Sequence, residues 1–530
     1  MQSRYLWWQH GIVYQIYPLS FMDSDGDGKG DLSGIRQRLD YLSWLGVNAL
    51  WISPIYPSPM KDFGYDVSDY CNIAPHFGSL ADFDALIAEA HARGLRLILD
   101  FVPNHTSDQH PWFLESRASR DNPKRDWYIW RDPAPDGSPP TNWLSQFGGP
   151  AWELDAHTGQ YYYHAFLKEQ PDLNWRNPYV RHGMYDVIRF WLGRGVDGFR
   201  IDVLWHLIKD DEFRDNPPNP GFEPGDSEHR KLLELYTTDR PEIHELVAEM
   251  RQVFESYPER VMIGEIYLPV ERLVAYYGLD RAGVHLPFNF QLIHASWNAC
   301  EIDRMIAEYD RLVPEEEWPN WVLGNHDQHR IATRIGPAQA RIAAMLLLTL
   351  RGTPTLYYGD ELGMEDVPIP HDRVQDPYEK NQPGLGLGRD PQRTPMQWDN
   401  APHAGFSTRE PWLPVAENFR ERNVKALAAD PGSILTLYRE LIRLRHAREA
   451  LNVGSYSQVH CEGNVMCFER TAGRERLAIL LNFGPTPESV KMRGRASVLL
   501  STYLDRVGEI LTERCTLRPD EGLVADLSTS

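Results

Sequence analysis

"RLILDFV", residues 96–102, is a nearly unbroken apolar run with no alternation between two faces. Such a run suits a strand covered on both sides, the condition of a parallel sheet packed between helices. Upstream, "IVYQIY" (12–17) and "NALWIS" (48–53) read as strands. Helical spacing follows each: Ile35, Leu39, Leu42 and Leu45 after the first, Leu80, Phe83, Ile87 and Ala90 after the second. Downstream, a helix around 181–193 precedes "VDGFRID" (196–202), and another around 241–256 precedes "VMIGE" (261–265). The weaker strand "VHLPF" (284–288) leads to a helix near 301–312. "WVLG" (321–324) then precedes the apolar helix 340–350, and "TPTLYY" (353–358) precedes the helix 433–447. Eight strand-then-helix units predict an α/β fold, a (β/α)8 TIM barrel rather than an open doubly wound sheet. No GxGxxG follows the first strand, which speaks against a dinucleotide site.

Two stretches break the alternation. Residues 104–174 are rich in Pro, Trp, Asn and Gly and predict an inserted, loop-rich domain over the barrel mouth after strand 3. Residues from 359 to about 430 are similarly loop-rich. The catalytic barrel is then expected over 1–103 and 175–450. Residues 451–530 show short alternating runs such as "NVMCFER" and "RLAILLNF", which predict a C-terminal antiparallel β-sandwich domain.

A net charge of −21 offers no basic field for phosphates, so neither nucleic acid nor an anionic membrane is expected as a partner. The five cysteines are scattered and lack metal-ligand spacing; they read as free thiols, with Cys461–Cys467 the pairing to consider. No segment reaches about 18 uninterrupted apolar residues. The N-terminus has no basic region followed by an apolar run, so a cytoplasmic protein is expected.

Three acids fall at or beyond strand ends, where barrel chemistry sits: Asp202, Glu265 and Asp327. One such acid alone is more often a helix N-cap. Three on different strands can converge. Arg200, two residues before Asp202, shares its face of the strand and can hold it ionised. A carboxylate pair plus a third acid, without a redox motif, suits glycoside hydrolysis.

The opening of the barrel carries "DSDGDGKGDLSG" (23–34). Asp23, Asp25 and Asp27 alternate as in a calcium loop with Gly28 at the sixth position, but Gly34 stands where an EF-hand has its bidentate Glu. The oxygens of Asp23, Asp25, Asp27 and Asp31 and the Lys29 carbonyl therefore predict a structural Ca2+ or Mg2+, not a sensor.

"DFVPNH" (100–105), "GVDGFRIDV" (195–203), "GEIY" (264–267) and "GNHD" (324–327) resemble the four conserved regions of the alpha-amylase superfamily, glycoside hydrolase family 13. "QPDLN" (170–174), "GRDPQRTPMQW" (388–398) and "DFGYDVSDY" (62–70) resemble its bacterial alpha-glucosidases of the oligo-1,6-glucosidase subfamily. The likeness covers roughly residues 5–450. It implies Asp202 as nucleophile, Glu265 as acid/base, and Asp327 as the partner of the 2- and 3-hydroxyls. It further implies His105 and His326 on the same sugar, an Asp62–Arg389 pair at its non-reducing end, and Tyr65 as a stacking platform. Phe147, Phe166 and Gln170 would form the pocket wall. Val203, where Thr or Ala accompanies α-1,4 activity, would accompany α-1,6 preference. The activity implied is a retaining, exo-acting alpha-glucosidase on short alpha-glucosides, with some transglycosylation. A transferase or isomerase on the same scaffold, such as a trehalose synthase or sucrose isomerase, is the alternative.

Overall fold

The computed structural model describes residues 5–492 and 494–527. The ends of the two expected outer segments, 1–4 and 528–530, lie outside the described residues. Eight strands form one parallel sheet: β1 (Val13–Ile16), β2 (Ala49–Ile52), β3 (Arg96–Phe101), β4 (Gly198–Ile201), β5 (Val261–Gly264), β6 (Leu286–Pro287), β7 (Asn320–Val322) and β8 (Thr353–Tyr357). Their spatial order is β7–β8–β1–β2–β3–β4–β5–β6, and a parallel bridge between Asn289 and Trp321 joins the two ends. The result is a nearly closed TIM-type barrel. The strands are buried on both faces, which is why they read as apolar runs.

Register sets the level of the site. Phe101 pairs with Ile201, and Ile201 with Gly264, so the residues that follow these strands emerge side by side at one rim. Gly198 is required by the approach of β4 to β5: an added Cβ would lie 2.3 Å from the Val261 carbonyl oxygen.

Local signals set the helix starts. Ser79 accepts from the Asp82 amide and Asp82 returns the bond to the Ser79 amide, a capping box that opens Leu80–Ala92. Asn177 and Pro178 open Pro178–Gly193 in the same spirit. The helical pattern after β1 is two pieces, Leu32–Gln37 and Leu39–Leu45, divided at Arg38.

Residues Trp130–Arg131, Trp152–Asp155 and Gln160–Tyr163 form a three-stranded antiparallel sheet within the stretch after β3, over a small core that includes Trp143, Trp152 and Tyr163. The C-terminal region holds a six-stranded and a two-stranded antiparallel sheet around Leu480, Val498, Leu511 and Leu523. It packs on the barrel helix Pro337–Thr349, which explains why that helix is apolar nearly all round.

Cys300 and Cys461 are joined in a disulfide, with Cα atoms 5.5 Å apart, which corrects the expectation of free thiols. The partners are 161 residues apart and meet only because the strand Ser455–Glu462 docks on the helix Ala299–Leu312, a contact that sequence spacing does not reveal. Cys71, Cys467 and Cys515 are free. Among the described residues, no helix is long and apolar enough to cross a membrane.

Candidate active site

Arg200, fully buried on β4, organises the rim. Its Nη1 donates to Asp100 Oδ1 at 2.8 Å and to Asp202 Oδ1 at 2.5 Å. Its Nη2 lies 2.7 Å from Glu265 Oε1, a charge contact rather than an aligned hydrogen bond. Glu265 Oε2 accepts from the Val203 amide at 2.8 Å. Asp202 and Glu265 thus face one guanidinium from adjacent strand ends. Asp327 sits beside them: its Oδ1 accepts from Arg393 Nη2 at 2.8 Å and from Arg389 Nη1 at 3.4 Å. Its side chain is 25% exposed, against 9% for Asp202 and 4% for Glu265, so the opening of the site lies on its side.

Their protonation differs for physical reasons. Burial, reinforced by the charges of Asp202 and Asp327, pushes Glu265 up to about 8 despite Arg200. Burial also raises Asp202, to about 7, and Asp100, to about 6, with Arg200 opposing in both cases. Asp327 goes the other way: burial would raise it, but the positive surroundings hold it well below the usual carboxylate range. His326 is itself kept neutral by burial, so the guanidiniums of Arg393, Arg389 and Arg200 carry that attraction. The order places a proton on Glu265 first and leaves Asp327 ionised.

A polar chain backs the acids. Gln15 Nε2 meets His326 Nδ1 at 2.8 Å, so His326 Nε2 carries the proton and donates to Tyr65 Oη at 2.7 Å. Tyr65 then donates to Asp100 Oδ2 at 3.0 Å. Its ring lies parallel to His326 at 5.4 Å. His105, also neutral through burial, sits against the Tyr65 carbonyl at 3.0 Å.

At the far end, Arg389 Nη2 donates to Asp62 Oδ1 at 2.7 Å and to Asp376 Oδ1 at 2.7 Å. Gln170 Nε2 reaches Asp62 Oδ2 at 3.2 Å. Phe147 lies under the Arg389 guanidinium, 5.0 Å away, and 5.9 Å from Phe166, which in turn neighbours His105. All the sugar-site candidates named from sequence therefore join one contact network. The sequence reading does not name Asp100, held by Arg200, Asp376, held by Arg389, or Arg393, which donates to Asp327. Asp100 and Arg393 stand inside quoted motifs, the only signal available. Asp376 had none.

The inserted region, the loop after β4 and the loop after β8 are laced together over this end. Gly149 N donates to Glu228 Oε2 at 2.9 Å, and Glu228 N to Gln382 Oε1 at 2.8 Å. In the loop after β1, ligand oxygens of Asp23, Asp25 and Asp27 lie within 4.8 Å of one another. Lys29 N donates to Asp27 Oδ1 at 2.8 Å. Asp31 lies outside this trio: its carboxylate accepts from Ser24 and caps the next helix through the Gly34 amide.

The fold and site are thus a TIM-type barrel with a buried arginine spanning two strand-end acids beside a third acid. The chain belongs to the alpha-amylase family, whose catalytic-domain model matches residues 15–454. It is 42% identical over 497 residues to a probable alpha-glucosidase of Rhizobium meliloti (strain 1021), covering 90% of this chain and 89% of that one. It is 38% identical to an oligo-1,6-glucosidase of Parageobacillus thermoglucosidasius, over 98% of both chains. The solved structure of the alpha-glucosyl transfer enzyme XgtA superposes with a TM-score of 0.94 at 39% identity, over 99% of this chain and 100% of that one.

Proposed function

We infer that the protein is a retaining, exo-acting alpha-glucosidase that removes terminal glucose from short alpha-glucosides. The observation that carries this reading is Arg200, which holds Asp202 and Glu265 at neighbouring strand ends. Asp202 attacks C1 of the terminal glucose while Glu265 gives its proton to the departing oxygen, and a β-glucosyl ester forms. Water, deprotonated by Glu265, then attacks C1, frees α-glucose and restores both carboxyl groups. Asp327, ionised, accepts hydrogen bonds from sugar hydroxyls and favours the positive ring of the transition state. The likeness to alpha-glucosidases and an oligo-1,6-glucosidase supports the substrate class.

The Asp62–Arg389 pair and the laced loops support a closed pocket that admits one glucose. Val203 supports a preference for α-1,6 linkages. The likeness to a glucosyl-transfer enzyme favours a second outcome on the same ester, transfer to a sugar or rearrangement of the released one. Incubation with maltose, isomaltose, sucrose and trehalose tests both. Free glucose as main product supports hydrolysis, a rearranged disaccharide supports isomerisation, and turnover of none overturns the proposal.

The all-oxygen donor set of Asp23, Asp25 and Asp27 fits Ca2+ or Mg2+. Asp25 is pushed up by burial and by the charges of Asp27, Asp31 and Asp23, a repulsion that a bound cation relieves. These residues would hold a structural ion outside the chemistry.

A further inference from the structure

The Cys300–Cys461 disulfide ties the barrel to the C-terminal sheet. Cys300 is exposed in the first turn of the helix Ala299–Leu312, and Cys461 is half-buried in Ser455–Glu462, an edge strand of the six-stranded sheet. Beside the bond, Asp303 links the two elements, accepting from Gln458 and, at 3.5 Å, from Tyr456. The helix start itself is held by Asn298, whose Oδ1 accepts from the Cys300 and Glu301 amides at 3.1 and 3.2 Å.

The same helix walls a cavity of about 700 Å3, lined among others by Tyr267, Phe290, His294, Glu301, Arg304 and Met305. Tyr267 stands two residues after Glu265 and stacks flat on Phe290, with centroids 4.0 Å apart and planes 7° from parallel. Its hydroxyl accepts from Asn325, two residues before Asp327, at 3.2 Å. The covalent tie therefore sits one residue from the wall of a cavity that reaches the neighbourhood of the acid/base candidate.

We propose that Cys300–Cys461 is a thiol–disulfide exchange site whose redox state sets the wall of the cavity beside Tyr267, and with it which aglycones and acceptors are admitted. The co-reactant is a dithiol. Its thiolate attacks the exposed Cys300 sulfur, the S–S bond breaks, and Cys461 leaves as a thiolate that takes a proton. The second thiol of the reductant then attacks the mixed disulfide and releases Cys300 as a thiol. Two electrons pass from the dithiol, which ends as a disulfide. Reduction removes the covalent tie from the start of this helix and leaves its Asn298 cap, the Asp303 contacts and the buried Ala299 and Ile302 to hold it. The identity of what enters the cavity rests on the glucosidase reading; the exchange site does not.

The test uses the full chain purified without thiols. Alkylation and mass spectrometry should count three free thiols before dithiothreitol and five after. Reduction should change KM for isomaltotriose by about fivefold, while kcat/KM for glucosyl fluoride, which has no aglycone, stays unchanged. Cys300→Ser should reproduce the reduced behaviour and ignore dithiothreitol. Five thiols in the untreated protein overturn the proposal, as does a bond that resists native reduction or unchanged kinetics after verified reduction. If no glucoside is turned over, hydrogen exchange over 299–305 remains as readout: faster exchange on reduction supports the site, and unaltered exchange overturns it.

Discussion

The main-chain N–H of Val203 donates to Glu265 Oε2 at 2.8 Å, and Val203 adopts the left-handed region (φ 37°, ψ 46°) to do so. For a β-branched residue such a backbone costs about 1–3 kcal/mol, so surrounding structure must hold it. The residue after Asp202 is thereby linked to the acid on the next strand.

Val203→Thr keeps the branched shape and adds a hydroxyl beside the leaving sugar. The ratio of kcat/KM for isomaltose over maltose should fall by about tenfold, the size of effect one polar group produces in a pocket. Parallel initial-rate measurements on the two disaccharides check it; an unchanged ratio removes Val203 from linkage choice.

The pH profile follows from the raised carboxyls. Glu265 works as an acid while protonated, so kcat/KM should fall as pH rises through about 8. Asp202 must be ionised to attack, and it titrates together with Asp100 at apparent values of about 7 and 6, which sets the acid limb. Glu265→Gln, assayed with glucosyl fluoride, should lose the alkaline limb. Its persistence would assign that limb to another group.

Asp202→Asn should lower kcat by about 10^4-fold or more, as loss of a nucleophile does elsewhere. NMR of the wild-type reaction should show α-glucose as the first anomer. A β-anomer would rule out double displacement.

Arg389→Ala removes the partner of two buried acids, Asp62 and Asp376. An uncompensated buried charge costs about 3–5 kcal/mol, so Tm should drop sharply. Asp62→Asn, nearly isosteric, should keep most stability yet raise KM for terminal glucose. Normal KM in that variant would detach Asp62 from the sugar.

Ca2+ should raise Tm progressively with its concentration, adding about 2.7 kcal/mol of stability at one hundred times Kd. Asp25→Ala should abolish the dependence with activity retained. A flat Tm in both proteins would leave the acidic loop without an ion.

Strand and helix positions were legible because side-chain period is a property of a few consecutive residues: "RLILDFV" and the helix spacing that precedes and follows it need no distant partner. The three acids could be named because they fall at or beyond strand ends, and their companions because quoted motifs contain them. The sequence alone could not say that Tyr65, His326 and Asp100 form one proton-ordered chain, that Asp376 buttresses Arg389, or that Cys300 meets Cys461 rather than remaining a thiol. Those pairings join residues from 13 to 261 positions apart. Closure of the barrel, the folding of the long loop after β8 and docking of the C-terminal sheet bring them together, and such geometry leaves no local period to read.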